Sequence, residues 1–162
     1  MGIDLKNWMQ NLPDGSDLLA LNLCGTHDCV TQHIRLPHFF CCQDLTIYEQ
    51  LLLGVRALDI RVRADGKCLT MVHGIFPAYN HSCHRANLMD MGDVLSQCYR
   101  FLDECPGEAV VFQFKNDNGK ENEQCFDNLF YTYIKGKEPY WYLEDQVPPL
   151  GAARGKLVLI RR

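Results

Sequence analysis

The period of the apolar residues switches back and forth along this chain, and that switching limits the folds open to it. Val55 to Arg63 alternates, with Arg56, Leu58, Ile60 and Val62 on one face and Val55, Ala57, Asp59 and Arg61 on the other. Asp65-Gly66 is a turn signal, and Lys67 to His73 reads as a second strand. Asn87 to Cys105 then carries Leu88, Met91, Val94, Leu95, Cys98, Phe101 and Leu102 at helical spacing, closed by Pro106-Gly107. Ala109 to Phe114 reads as a strand, Phe126, Leu129, Phe130 and Tyr133 mark another helix, and Lys156 to Ile160 is a last strand. Upstream, Leu18 to Leu23 reads as a buried strand ending at Gly25. Thr46-Ile47-Tyr48-Glu49 is a capping box opening a short helix that ends at Gly54. Residues 29–43 and 136–150 read as loops. Strands and helices therefore alternate, which predicts a mostly parallel sheet with helices outside it.

In such folds chemistry gathers at the C-terminal ends of strands. His27 and Asp28 follow the first run, His73 ends the third, and Lys115 follows the fourth. A hairpin about Asp65-Gly66 brings Asp59 and His73 to the same end. A closed β/α barrel takes about eight strands and about 250 residues. The 162-residue sequence stops at Arg161-Arg162, directly after a strand. Two expectations follow: an open sheet of roughly four or five strands with an exposed edge, or the N-terminal half of a β/α (TIM-type) barrel.

A net charge of −4, with no basic stripe, argues against general nucleic-acid binding. The nine cysteines include the adjacent pair Cys41-Cys42 and no C-x-x-C, which argues against a common zinc site and for reduced, packed thiols. No stretch has the apolar length of a membrane span, and Met1 to Trp8 does not read as a signal peptide. As written, the chain is expected in the cytoplasm.

Gly25-Thr26-His27-Asp28, Leu58-Asp59-Ile60-Arg61-Val62 and Val72-His73-Gly74 together supply two histidines, two carboxylates and one arginine. That is equipment for acid–base chemistry on a phosphate ester. One imidazole takes a proton, the other gives one, and a guanidinium holds the charge that builds between them. Imidazoles exchange protons near neutral pH because their unperturbed pKa lies near ~6.5. Each residue also has a plainer reading. Asp59 and Arg61 suit a cross-strand ion pair, Lys115 a loop charge, and Arg162 a frayed terminus.

Five segments, in order, closely resemble the X region of bacterial phosphatidylinositol-specific phospholipase C. They are LPDGSDLLALNLCGTHD, CQDLTIYEQLLLGVRALDIRV, VHG, VLSQCYRFLDECPGEAVVFQFKND and RGKLVLIRR. The resemblance runs from about Trp8 to Arg162 and makes residues 1–162 one X domain, truncated relative to the family. It implies an irregular β/α (TIM-type) barrel, of which this chain holds the N-terminal half. It implies cleavage of phosphatidylinositol, or a related inositol phospholipid at a membrane surface, to diacylglycerol and a cyclic inositol phosphate. It implies that His27 is the general base, His73 the general acid, and Arg61 the phosphoryl clamp. Asp28 and Asp59 would bond to the acid side, and Lys115 and Arg162 would contact inositol hydroxyls.

No metal or cofactor is expected. Arg61 stands where calcium-dependent relatives carry an acidic ligand, and Asp28 and Asp59 are few oxygens for calcium. Cys24 departs from the family's usual Pro, and Cys29 from Ser or Thr. The family's carboxylate for the base histidine comes from the second barrel half, so His27 is expected to lack it here. Family relatives are often exported. Two other readings fit: a truncated X-domain fragment that binds phosphoinositide without turnover, and a metal-dependent glycerophosphodiester phosphodiesterase-like enzyme.

Overall fold

The computed structural model describes residues 2, 4–65, 67–81, 87–117 and 123–161. The chain is a mixed α/β fold built on one sheet. In chain order the elements are β1 (Gly25–Thr26), α1 (Pro37–Phe40), α2 (Ile47–Leu52), β2 (Ala57–Asp65), β3 (Cys68–His73) and β4 (Phe76–Pro77). There follow α3 (Met91–Glu104), β5 (Val110–Asn116), α4 (Glu123–Ile134), β6 (Trp141–Tyr142), α5 (Leu150–Ala153) and β7 (Leu157–Arg161). The strands lie in the order β4-β3-β2-β5-β7-β6, with β1 also on β2. β2, β5, β7 and β6 run parallel, and β3 and β4 are antiparallel additions. Among the described residues the sheet ends at β4 and β6 and does not close into a barrel.

The alternation in β2 is the reason it sits at the centre. Leu58, Ile60, Val62 and Ala64 point to the helical side and are buried, as are Val110, Phe112 and Phe114 on the neighbouring β5. Helices α2, α3 and α4 cover that side with Leu51, Val94, Leu95, Phe101, Phe126 and Phe130. The other face carries Asp59 and Arg61, in register with Gln113 and Lys115. The period-2 rule thus turns one row of polar residues away from the core.

A second cluster seals the opposite end of the strands. Met9, Leu18, Ala109, Leu150, Ala153 and Val158 pack there, and within it Arg56 and Glu108 form a fully buried ion pair at 2.7 Å. Glu108 also accepts from the N–H groups of Met9 and Gln10, and Arg56 donates to the carbonyls of Leu51, Val55 and Lys6. Trp8 stacks on the Arg56 guanidinium and donates to the Gly54 carbonyl. Trp141 donates to the Tyr99 hydroxyl from within the main core. Both tryptophans are therefore packing residues.

Several local expectations differ from the fold. Leu18 to Leu23 is not a strand. Asp17 accepts from Leu19 N–H and starts a 3₁₀ turn over Leu18–Ala20, leaving Leu19 exposed, and only Gly25–Thr26 pairs. The long helix begins at Met91 rather than Asn87. Asp90 and Asp93 form a reciprocal capping box there, while Leu88 is bridged to Tyr79. The 29–43 segment contains α1, and the 136–150 segment supplies β6. The capping box at Thr46 and Glu49 is present, and Gly54 ends that helix at φ +95°, a conformation glycine adopts at little cost. Gly66 lies outside the described residues. Cys29, Cys98 and Cys105 are buried thiols. Among the described residues no helix is long and apolar enough to cross a membrane.

Candidate active site

The site follows from how three strands share one edge. β1 pairs with β2 only at Gly25↔Ala57 and Thr26↔Leu58, running parallel. β3 approaches the same edge from the other end, antiparallel, and its pairing stops at Met71↔Val62. On this edge the stretch of β2 between them, 59 to 61, has no strand paired to it, while its other edge stays paired to β5. His27 and Asp28 leave β1 into this gap and His73 enters it from β3. The backbone N–H of Cys29 donates to the Asp59 carbonyl and holds the exit of β1 against β2. Asp28 takes φ +44°, a conformation rare for residues with a Cβ and one that clusters at functional sites.

The two imidazoles lie 6.3 Å apart, edge to face. Nε2 of each stands 3.5 Å from the same oxygen of Asp28, Oδ2. His73 Nδ1 bonds the Phe40 carbonyl at 3.1 Å, which directs its Nε2 into the site. His27 Nδ1 bonds Asp59 Oδ2 at 2.9 Å, which leaves its Nε2 available. Arg61 contacts Asp59 at 3.1 Å and Asp28 at 3.4 Å, with Asp117 at 3.9 Å. His27, Asp28, Asp59, Arg61 and His73 are thus brought together.

Asp59 departs from its expected position. It turns to His27, not to His73, because it shares a strand face with Arg61 and lies beside the end of β1. So a carboxylate of this chain, contrary to expectation, meets His27 Nδ1. Gln113 from β5 donates to the other Asp59 oxygen at 3.2 Å.

The electrostatics divide the carboxylates. Burial pushes the Asp28 carboxyl above its usual range, partly offset by Arg61 and the two histidines. Burial also acts on Asp59, but the Asp28 N–H and Arg61 outweigh it and hold that carboxyl below its usual range. Asp117 is likewise lowered, since Lys115 and the Gly74 N–H overcome its burial. Asp28 is therefore the acid most ready to hold a proton, and Asp59 and Asp117 are fixed anions beside Arg61.

Lys115 does not reach the histidines; its Nζ is paired to Asp117 at 2.8 Å on the flank of the cluster. Arg162 lies outside the described residues. Asp117, Gln113 and Phe40 were not singled out from sequence. For the first two a signal exists: Gln113, Lys115 and Asp117 are spaced i, i+2, i+4 on one run, as Asp59 and Arg61 are on theirs. Phe40 enters through its backbone carbonyl, which no side-chain pattern reports. A cavity of 410 Å³ opens between His27, Asp59, Arg61 and Gln113, within the usual size range of small-molecule sites. A larger one, 570 Å³, lies on the outer side of α3 and contains neither histidine.

No family model matches the chain. A 1-phosphatidylinositol phosphodiesterase of Listeria monocytogenes is 26% identical over 169 residues, covering 98% of this chain and 49% of that protein. Its counterpart from Staphylococcus aureus is 28% identical over 166 residues, covering 97% and 51%. Among solved structures, a phosphatidylinositol-specific phospholipase C from S. aureus superposes with a TM-score of 0.82 at 28% identity, over 98% of this chain and 53% of that one. The L. monocytogenes enzyme gives 0.79 at 27%, over 99% and 57%. The chain spans about half the length of the curated relatives it matches. Along nearly its whole length, then, this chain is similar in sequence and fold to bacterial phosphatidylinositol-specific phospholipase C.

Proposed function

We propose that residues 1–162 form an X domain that cleaves phosphatidylinositol by internal transesterification, with His27 as base, His73 as acid and Arg61 as anion clamp. His27 Nε2 takes the proton of the inositol 2-hydroxyl. That oxygen forms a bond to phosphorus, the bond from phosphorus to the diacylglycerol oxygen breaks, and His73 Nε2 delivers a proton to the departing oxygen. The products are diacylglycerol and a cyclic inositol phosphate. Arg61 supplies fixed N–H donors where the phosphoryl oxygens gain charge. Asp59 keeps His27 in the tautomer with Nδ1 protonated, and the Phe40 carbonyl on Nδ1 of His73 turns that ring's Nε2 toward Asp28. No metal is needed in this scheme, since a resident guanidinium supplies the positive charge. Lys115 and Arg162 are assigned to inositol hydroxyls.

The observation that carries this reading is the pair of imidazoles meeting at one buried carboxylate, with a guanidinium beside it. Leu36, Phe39 and Ile75 add support for a lipid substrate. They are exposed on the two segments that meet where Phe40 stacks on Phe76, next to His73. The test is cleavage of phosphatidylinositol vesicles by the 162-residue chain in excess chelator, with the cyclic product identified by phosphorus NMR. His73→Ala should lower the rate roughly 10²–10⁴-fold; undiminished turnover would remove His73 from the role of acid. The open sheet favours a second reading, in which the chain binds phosphoinositide without turnover. Vesicle binding with no product would select it.

A further inference from the structure

We propose that His27, Asp28 and Cys42 form a binding site for a thiophilic divalent cation, zinc or cadmium, alongside Arg61. One ligand atom from each of the three lies within 4.8 Å of the others. Asp28 has 0% exposure, and neither of its carboxylate oxygens accepts a hydrogen bond. The nearest side-chain nitrogens, of Arg61 and the two histidines, stand off at 3.4 to 3.5 Å. A buried carboxylate left in this condition is costly, and a cation beside it removes the cost.

The surroundings also suit a metal. His27 gives Nδ1 to Asp59 at 2.9 Å, so Nε2 is the nitrogen left to coordinate. A carboxylate behind a ligating histidine is the usual way of fixing its tautomer and strengthening it as a donor. Cys42 reaches the group because its loop is tied to the same turn. The Thr31 hydroxyl donates to the Asp28 carbonyl at 2.9 Å and accepts from Cys42 N–H at 2.8 Å, and Gln43 Nε2 donates to the His27 carbonyl at 3.1 Å.

The donor set decides which cation. One nitrogen, one oxygen and one sulfur suit zinc or cadmium, and not calcium or magnesium, which take oxygens. Three protein ligands leave a fourth position for water. Arg61 would repel a dication held by neutral groups. Here the Asp28 carboxylate and a Cys42 thiolate cancel both charges, so the loaded site is neutral toward the guanidinium. Binding releases the Cys42 thiol proton to solvent. On the reading of His27 as base, occupancy also engages the nitrogen that takes the substrate proton, so the cation acts as a reversible inhibitor.

The test is a cadmium titration of the 162-residue chain under reducing conditions without chelator or lipid. It reads the ultraviolet charge-transfer band of a cadmium–thiolate bond and the affinity. Cys41→Ser should leave both unchanged. Cys42→Ser should lose the band and weaken binding by roughly 10–100-fold or more, and His27→Ala should keep a band but weaken binding to a similar degree. Both replaced side chains are exposed, so folding is not at stake. An unchanged titration in Cys42→Ser overturns the proposal. A loss in Cys42→Ser without weakening in His27→Ala also overturns it, leaving one surface thiol. Because no lipid is present, a failure here leaves the phospholipase reading standing, and a chain without turnover leaves this one standing.

Discussion

At the scale of single residues, Asp59 has the most to do. One of its oxygens meets His27 Nδ1, the Asp28 N–H and Arg61, while the other takes Gln113. A neutral amide at this position cannot favour Nδ1–H on His27 over Nε2–H, since it offers a donor as readily as an acceptor. Asp59→Asn should therefore convert His27 from one tautomer to a mixture, read from the imidazole nitrogen shifts by NMR. Turnover, where present, should fall roughly 10²–10⁴-fold with KM little changed, in the manner of a triad whose carboxylate is lost. An unaltered tautomer would mean that Asp59 does not orient the ring. The identities at this site were legible in the sequence, because His27, Asp28, Asp59, Arg61 and His73 sit in short strings at strand ends. Their pairing was not. Which carboxylate meets which ring depends on β1 stopping at Leu58 of its neighbour, and no periodicity reports where a strand stops.

At the scale of elements, the helices are held to the N-terminal segment by exposed charge. Glu104 at the end of α3 accepts from Lys6, from the Tyr48 hydroxyl of α2 and from Arg100 one turn back. These donors hold its carboxyl down at about 2, against an ordinary value of 4.5. A carboxyl whose folded pKa is depressed stabilises the fold fully above its unfolded value. The contribution fades as pH falls through the interval down to the folded value. Stability should thus decline between pH 4.5 and about 2, and Glu104→Gln should flatten the decline there in denaturant titrations while changing little at neutral pH. An identical pH profile in the variant would show that the cluster is not formed in solution. The elements themselves were read well where apolar residues repeat, as in β2 and α3. The elements depart from the apolar pattern where a capping aspartate outranks it, at Asp17 and at Asp90. A side chain that satisfies a backbone N–H sets a helix start more firmly than the next leucine upstream does.

At the scale of the whole molecule, the sheet divides two charged clusters with opposite duties. One end of the parallel strands opens onto Arg61 and its carboxylates; the other is closed around Arg56 and Glu108, both fully buried. Arg56 immediately precedes β2 and Arg61 lies within it, five residues on and therefore on the opposite face. Arg56 lies on the apolar row with Leu58 and Ile60, so alternation alone placed it in the core, and Glu108 arrives from the turn before β5 to meet it. The pair joins the N-terminal segment, the start of β2 and the start of β5 in one hydrogen-bonded knot. Removing the negative partner leaves a guanidinium without compensation in the core, which costs about 3–5 kcal/mol. Glu108→Gln should therefore lower the unfolding free energy by that amount, with the denaturant midpoint falling and the slope unchanged. The double variant Arg56→Met/Glu108→Leu should recover only part of the loss: an apolar pair needs no desolvated charge, but it takes away the partners of the Met9 and Gln10 N–H groups and of the Val55 and Lys6 carbonyls. A loss below about 1 kcal/mol in the single variant would mean that water reaches the pair, as at exposed ion pairs. The His27 tautomer and the contacts of Asp59 should survive in the folded fraction of every variant, because the knot lies at the far end of the strands from the gap that gathers the site.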